Sequence, residues 1–204
     1  MEKIICFDIG NVIVTCDVDR FVDEIGRYLS PKKNKKFKAL RYLVQTQHDI
    51  GLTTLRNFFE HFDTDLSFHS LNEIIQEWCN LIKMNNEMYD LILNLKKQNV
   101  KIAYLSNIGY EHAVHLTTRY PELFENTLKH FSYEVGARKP TKLYFQSFLH
   151  EADPIRAGDC LFIDDLKYNC DMAESLGFKT YQFSLLDKNG FGVLKNTINN
   201  HLNI

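Results

Sequence analysis

The sequence predicts an α/β protein: a parallel sheet covered by helices on both faces, with an all-helical segment inserted after the first strand. Three observations predict it. Short, mostly apolar runs stand at residues 3–7, 100–105 and 160–163, as expected of strands buried on both faces. From residue 88 onward such runs alternate with stretches of helical spacing, the pattern of a sheet wrapped by its own crossover helices. Between residues 17 and 85 the periodicity is helical, and no convincing strand interrupts it.

Taken in order, residues 3–7 form a strand that ends at Asp8 and is broken by Gly10 and Asn11. In the insert, Phe21, Ile25, Tyr28 and Leu29 recur at helical spacing. Phe37, Leu40 and Val44 do the same, and so do Ile74, Ile75, Trp78, Leu81 and Ile82. The lysine-rich stretch at 31–38 is expected to be the solvated start of a helix. Most of Phe58, Phe59, Phe62 and Phe68 are expected to lie in the insert's own core, with one or two facing the active site to help select substrate. Met88, Leu91, Ile92 and Leu95 line one helical face, and a strand at 100–105 ends at Ser106. A helix at 109–119 stops before Pro121, and 130–133 is a short strand. A helix at 141–151, a strand at 160–163, a helix through 171–176 closed by Gly177, a strand at 180–183 and a C-terminal helix complete the chain. His112 and His115 share a helical face, which is expected to be partly exposed rather than metal-binding, because no third ligand stands near them in sequence.

A net charge of -2 gives no basis for attraction to nucleic acid or to an anionic membrane. No apolar run approaches the roughly 20 residues that span a bilayer, and the N-terminus lacks the basic start of a signal peptide. A cytoplasmic location is therefore expected. The five cysteines are odd in number and include no C-x-x-C pair; Cys6 and Cys160 sit in apolar strand-like runs and are expected to be buried reduced thiols.

Four polar sites stand at or just beyond the ends of these elements: Asp8, the pair Ser106 and Asn107, Lys139, and the pair Asp164 and Asp165. Each has a bland reading as a helix cap, a turn former or a surface lysine. In an open parallel sheet, however, ligands bind beyond the carboxyl ends of the strands. Carboxylates, a lysine and a hydroxyl gathered at that edge suit a phosphate ester together with a hard divalent cation, which takes oxygen ligands.

The motifs carrying these residues resemble those of the haloacid dehalogenase superfamily. FDIGNVIV at 7–14 is similar to its first motif, LSN at 105–107 to its second, ARKP at 137–140 to its third and FIDDLKYN at 162–169 to its fourth. They occur in the family's order, with the helical insert where one subclass carries a small helical cap. The resemblance implies a Rossmann-like catalytic core at 1–14 and 86–204 with a helical cap at 15–85. Its first motif is similar to the FDxGNV group, which includes bacterial glucose-1-phosphate phosphatases. The resemblance further implies a magnesium-dependent phosphatase of a small phosphorylated metabolite, such as a sugar phosphate, working as a monomer or homodimer through an aspartyl-phosphate. Asp8 would be the nucleophile. Asp8, the Gly10 carbonyl, Asp164 and Asp165 would hold Mg2+. Ser106, Asn107 and Lys139 would bind the phosphoryl group, and Lys139 would also offset its charge.

One position departs from the family pattern. Where most of its phosphatases carry a second aspartate, the general acid/base, this chain has Gly10. Losing such a group typically costs on the order of 100- to 10,000-fold in rate. A good leaving group, a substitute acid such as Asp17 or a residue of the cap, or a catalytically weak relative serving as a binding or regulatory protein would each account for it.

Overall fold

The computed structural model describes residues 3–185 and 190–204. Five parallel strands form one sheet in the order β5-β4-β1-β6-β7, with β1 at Ile4–Phe7, β4 at Lys101–Ser106, β5 at Leu128–Phe131, β6 at Cys160–Asp164 and β7 at Lys179–Gln182. Side chains alternate between the two faces. Ile5, Phe7, Ile102, Tyr104, Leu161 and Ile163 pack into one core layer, and Ile4, Cys6, Ala103, Leu105, Cys160 and Phe162 into the other. Helices α5 (Asn86–Lys97) and α6 (Tyr110–Arg119) contribute Met88, Ile92, Leu95 and Leu116 to the first layer. α9 (Lys142–Glu151) and α10 (Lys167–Ser175) cover the second through Phe145, Phe148 and Ala173. α11 (Gly190–Leu202) returns to the first through Leu194 and Ile198. The α/β class with its parallel sheet is thus as expected.

Between β1 and β4 the chain builds α1 (Val18–Glu24), α2 (Pro31–Asp49), α3 (Leu55–Phe62) and α4 (Phe68–Asn80). Local chemistry starts each helix. The side chains of Asp17, Ser30, Thr54 and Ser67 accept from main-chain N–H groups three residues on, and Pro31 follows Ser30 at the first helical position. Phe21, Ile25, Phe37, Phe59, Ile74 and Trp78 form a separate core. Of the four phenylalanines weighed for this core, Phe59 lies in it, Phe58 and Phe62 pack against it, and Phe68, the first residue of α4, is 73% exposed.

The helical stretch is not framed as the periodicity suggested. Val14–Cys16 and Ile82–Met84 form an antiparallel two-stranded ribbon, β2 with β3, with Val14 opposite Met84 and Cys16 opposite Ile82. Strands of three residues are too short to register as an alternation, and their partners lie far apart in sequence. One smaller shift has a local cause. The strand expected at 130–133 runs over Leu128–Phe131, because Ser132 begins a helical turn. The helix before Gly177 begins at Lys167. Gly177 itself has a φ of +93°, a conformation glycine adopts without strain.

The face expected to be partly exposed is so at His115 but not at His112. His112 is buried, its ring stacks on Trp78 at 4.4 Å with an interplanar angle of 2°, and its Nε2 donates to the Trp78 carbonyl at 2.8 Å. Burial pushes its pKa down to about 4, so the ring is neutral. Helical spacing revealed the face but not that α4 covers it.

The insert seats closely on the core at Gly109, where a Cβ would stand 1.9 Å from the His48 ring. Gly109→Ala should therefore destabilise the protein by about 1–3 kcal/mol, read from thermal or urea unfolding. A change within a few tenths of a kcal/mol would show that the two parts separate there without cost.

Candidate active site

The ends of three adjacent strands converge. Asp8 follows β1, whose next main-chain N–H, that of Asp8 itself, donates to Ile163 of β6 at 2.8 Å. Asp164 ends β6, and Ser106 ends β4 on the other side of β1. Asp8 and Asp164 are 7% and 0% exposed, and Lys139 is 1% exposed. Asp8, Asp164 and half-buried Asp165 each present a carboxylate oxygen within 4.8 Å of the others.

Lys139 joins two of these carboxylates. Its Nζ lies 2.9 Å from Asp8 Oδ1 and 2.6 Å from Asp164 Oδ2, and donates to the Leu105 carbonyl at 2.8 Å. Burial works against the ammonium, but the two carboxylates outweigh it and hold its pKa above the ordinary value. Asn107 keeps this lysine in place: its Oδ1 accepts from the Lys139 N–H at 2.8 Å, and its Nδ2 donates to the Lys139 carbonyl at 3.0 Å. The Asn107 amide, expected as a substrate contact, is engaged by the main chain of the lysine, and Asn107 also lines the cavity beside Gly10.

The carboxylates are held with equal care. Asp164 Oδ1 accepts from the Leu166 N–H at 2.9 Å, and the Asn169 amide reaches both its oxygens at 2.9 and 3.1 Å. Asn11, with φ at +54°, donates to Asp165 Oδ2 at 3.1 Å. Asp8 Oδ1 also accepts from the Ile9 N–H at 2.7 Å. Asn11 and Asn169 stand within the first and fourth motifs, but nothing in the sequence assigns them a role, since their partners are set only by the fold.

Three carboxylates with one lysine leave this cluster short of positive charge. Burial pushes the Asp8 carboxyl up to about 7, Lys139 pulls against this, and Asp164 adds to it. Asp165 is raised for the same first reason, burial, with Asn11 opposing and Asp164 adding. A divalent cation is the natural remedy. The donors are hard oxygens, converging and preorganised by hydrogen bonds, which suits magnesium. Asp8, Asp164 and Asp165 could hold it.

A cavity of about 200 Å³ opens beside Gly10, Ser106 and Asn107, and its other wall comes from the insert through Gln45, Asp49 and Trp78. Three pairs of contacts close the insert over it. Glu111 of α6 accepts from the Leu55 N–H at 2.8 Å and lies 2.6 Å from His48 Nε2. Arg138 reaches Asp49 Oδ2 and Thr46 Oγ1, each at 3.3 Å. His112 holds Trp78 as above. A larger groove of about 750 Å³ runs along the α4–α6 contact; none of the three clustered aspartates lines either space, but Gly10, Ser106 and Asn107, which stand next to them at the strand ends, line only the smaller one. Asp17, weighed as a substitute acid, is an exposed helix cap whose carboxylate accepts from the Arg20 N–H.

No family model matches the chain. Among solved structures, a haloacid dehalogenase family enzyme from Bacteroides thetaiotaomicron superposes with a TM-score of 0.80 at 22% identity, over 94% of this chain and 98% of that one. The fold is that of the haloacid dehalogenase enzymes. The same Bacteroides enzyme in complex with magnesium and inorganic phosphate gives a TM-score of 0.73 at 23% identity, over 93% of this chain and 98% of that one. L-2-haloacid dehalogenase from Xanthobacter autotrophicus shares the haloacid dehalogenase fold with a TM-score of 0.60 at 15% identity, over 97% of this chain and 84% of that one. Among the described residues, no helix is long and apolar enough to cross a membrane.

Proposed function

We propose that this chain is a magnesium-dependent phosphoric monoester hydrolase of the haloacid dehalogenase superfamily, acting on a small phosphate ester through an aspartyl-phosphate on Asp8. The observation that carries the reading is the buried cluster itself: three carboxylates within 4.8 Å of one another, bridged by a lysine of 1% exposure. Asp8 Oδ1 is held by Ile9 and Lys139. Its other oxygen attacks phosphorus as the ester oxygen departs, and water then releases phosphate from Asp8. Ser106, at the cavity wall, donates to a phosphoryl oxygen. Lys139 offsets charge on that group, and Asn107 acts by fixing the lysine. Asp8, Asp164, Asp165 and the Gly10 carbonyl would hold magnesium, which would supply charge neutralisation and orientation of the phosphoryl group. The Bacteroides enzyme crystallised with magnesium and phosphate supports this reading. A dehalogenase attacking carbon has no use for such a cation-binding cluster of carboxylates.

The cavity supports a sugar phosphate as substrate. Its volume of about 200 Å³ suits one small ring, and polar Gln45 and Asp49 face the same space as the Trp78 indole. The test is phosphate release from a panel of sugar phosphates and an aryl phosphate, with magnesium and with a chelator. Release that depends on magnesium and is abolished by chelation is expected. Failure to hydrolyse any ester at saturating magnesium, or undiminished turnover in chelator, would overturn the reading.

A further inference from the structure

The core lacks an acid/base beside its nucleophile, and the structure leaves an empty place there. A side chain built at Gly10 would meet nothing within 4 Å, and Gly10 is absent from the positions of positive φ. The insert brings a carboxylate to the same cavity. Asp49, the last residue of α2, lines it together with Gly10, Ser106 and Asn107, and is the only carboxylate among the described residues that does. A cavity this small brings its opposite walls within the span of one small molecule.

We propose that Asp49, delivered by the helical insert, is the acid–base residue of this phosphatase, in place of the group missing at Gly10. The assignment rests on the phosphatase reading given above. In the first step the protonated Asp49 carboxyl gives its proton to the ester oxygen while the P–O bond breaks, the phosphoryl group bonds to Asp8, and the alcohol leaves. In the second, the Asp49 carboxylate takes a proton from water, the water oxygen bonds to phosphorus, the bond to Asp8 breaks, and phosphate departs. Asp49 ends protonated, as it began.

The surroundings suit that cycle. Asp49 is 6% exposed, and its one charged partner across the cleft is Arg138, with Nη1 at 3.3 Å from Oδ2. Burial pushes its carboxyl up to about 6, against the pull of Arg138 and of His48 on its own helix. Both protonation states are therefore within reach near neutrality, as an acid that must become a base requires. The arrangement also couples chemistry to closure, because the proton donor is in place only when α2 is seated on the core.

The experiment compares wild type, Asp49→Asn, Asp8→Asn and the double variant Asp49→Asn with Gly10→Asp, at saturating magnesium. Substrates are a primary sugar phosphate, whose leaving oxygen needs a proton, and nitrophenyl phosphate, whose leaving group does not. Asp49→Asn should lose about 100- to 1,000-fold in kcat on the sugar phosphate. On nitrophenyl phosphate it should keep a fast first turnover, releasing a burst of about one nitrophenolate per active site, then stall with phosphate on Asp8. Gly10→Asp should restore much of the lost rate in the double variant. Equal losses on both esters without a burst, or a rise in KM with kcat unchanged, would overturn the assignment and leave Asp49 a closing contact to Arg138. If Asp8→Asn is inactive while Asp49→Asn matches wild type, Asp49 alone is excluded. If Asp8→Asn stays active, the phosphatase mechanism fails and this proposal with it.

Discussion

Asp8→Asn is expected to lower turnover by at least about 10⁴-fold while making the metal-free protein more stable at neutral pH. Asparagine keeps the shape and one acceptor oxygen for the Ile9 N–H, yet it cannot form the acyl phosphate. The stability gain follows from burial. The Asp8 carboxyl is raised from 3.8 to about 7 in the folded chain, with burial as the leading cause. A carboxyl raised by folding contributes stability that is fully present below its unfolded pKa and is lost as pH rises through its folded pKa. Removing the charge should therefore change little near pH 3.8, gain progressively above it, and reach its full effect beyond about 7. A gain of about 1–2 kcal/mol is expected there. Thermal unfolding in chelator across that range measures it. Saturating magnesium should narrow the difference, since an ion bound only to the folded state stabilises whichever protein binds it better. A variant that is less stable than wild type at neutral pH in chelator would refute the picture of a strained, under-compensated cluster.

Lys139→Met carries the opposite sign and the larger structural effect. The methionine fills similar volume but leaves Asp8 and Asp164 buried without their shared cation, and leaves the Leu105 carbonyl without its donor. Breaking a buried ion pair from one side typically costs about 3–5 kcal/mol, or roughly 10 °C in melting temperature for a chain of this size. The loss should shrink as pH falls, because the orphaned carboxylates can then take protons. Adding Asp8→Asn should recover part of it, since the two positions share one interaction. Lys139→Arg should not substitute, because the planar guanidinium is wider than an ammonium and the site gives Nζ three close partners. Activity should be lost in either lysine variant. A Lys139→Met protein melting within about 2 °C of wild type would show that the lysine is not the counter-charge on which the cluster depends.

Much of this architecture was legible in the sequence, for a physical reason. The strands β1, β4 and β6 are buried on both faces, so each appears as a short apolar run, and the polar residue that ends the run marks the sheet edge. The edge strands gave weaker signals. β5 carries Lys129 and His130, and β7 is only partly buried, so their limits shifted by one or two residues. What stayed hidden depends on contacts between distant segments. Nothing near Asp49 in sequence marks it, because it becomes a cavity residue only when the end of α2 lands on Gly109 and Arg138. Asn107 was seen as polar and close, but its task was decided by the Lys139 main chain reaching it from another loop.

The ribbon of β2 and β3 has a consequence for how such a protein can change. The chain leaves the sheet and returns to it through two strands that lie side by side, with Thr15 facing Lys83. The intervening helices therefore begin and end at one point in space, and none of the five strands of the sheet lies within them. A lengthened, shortened or wholly different insert grafted at that point would leave the register of the sheet untouched. On the proposed function, recombination there would redirect which alcohol is released without altering the residues gathered around Asp8. It would also, on the assignment of Asp49, have to bring its own proton donor.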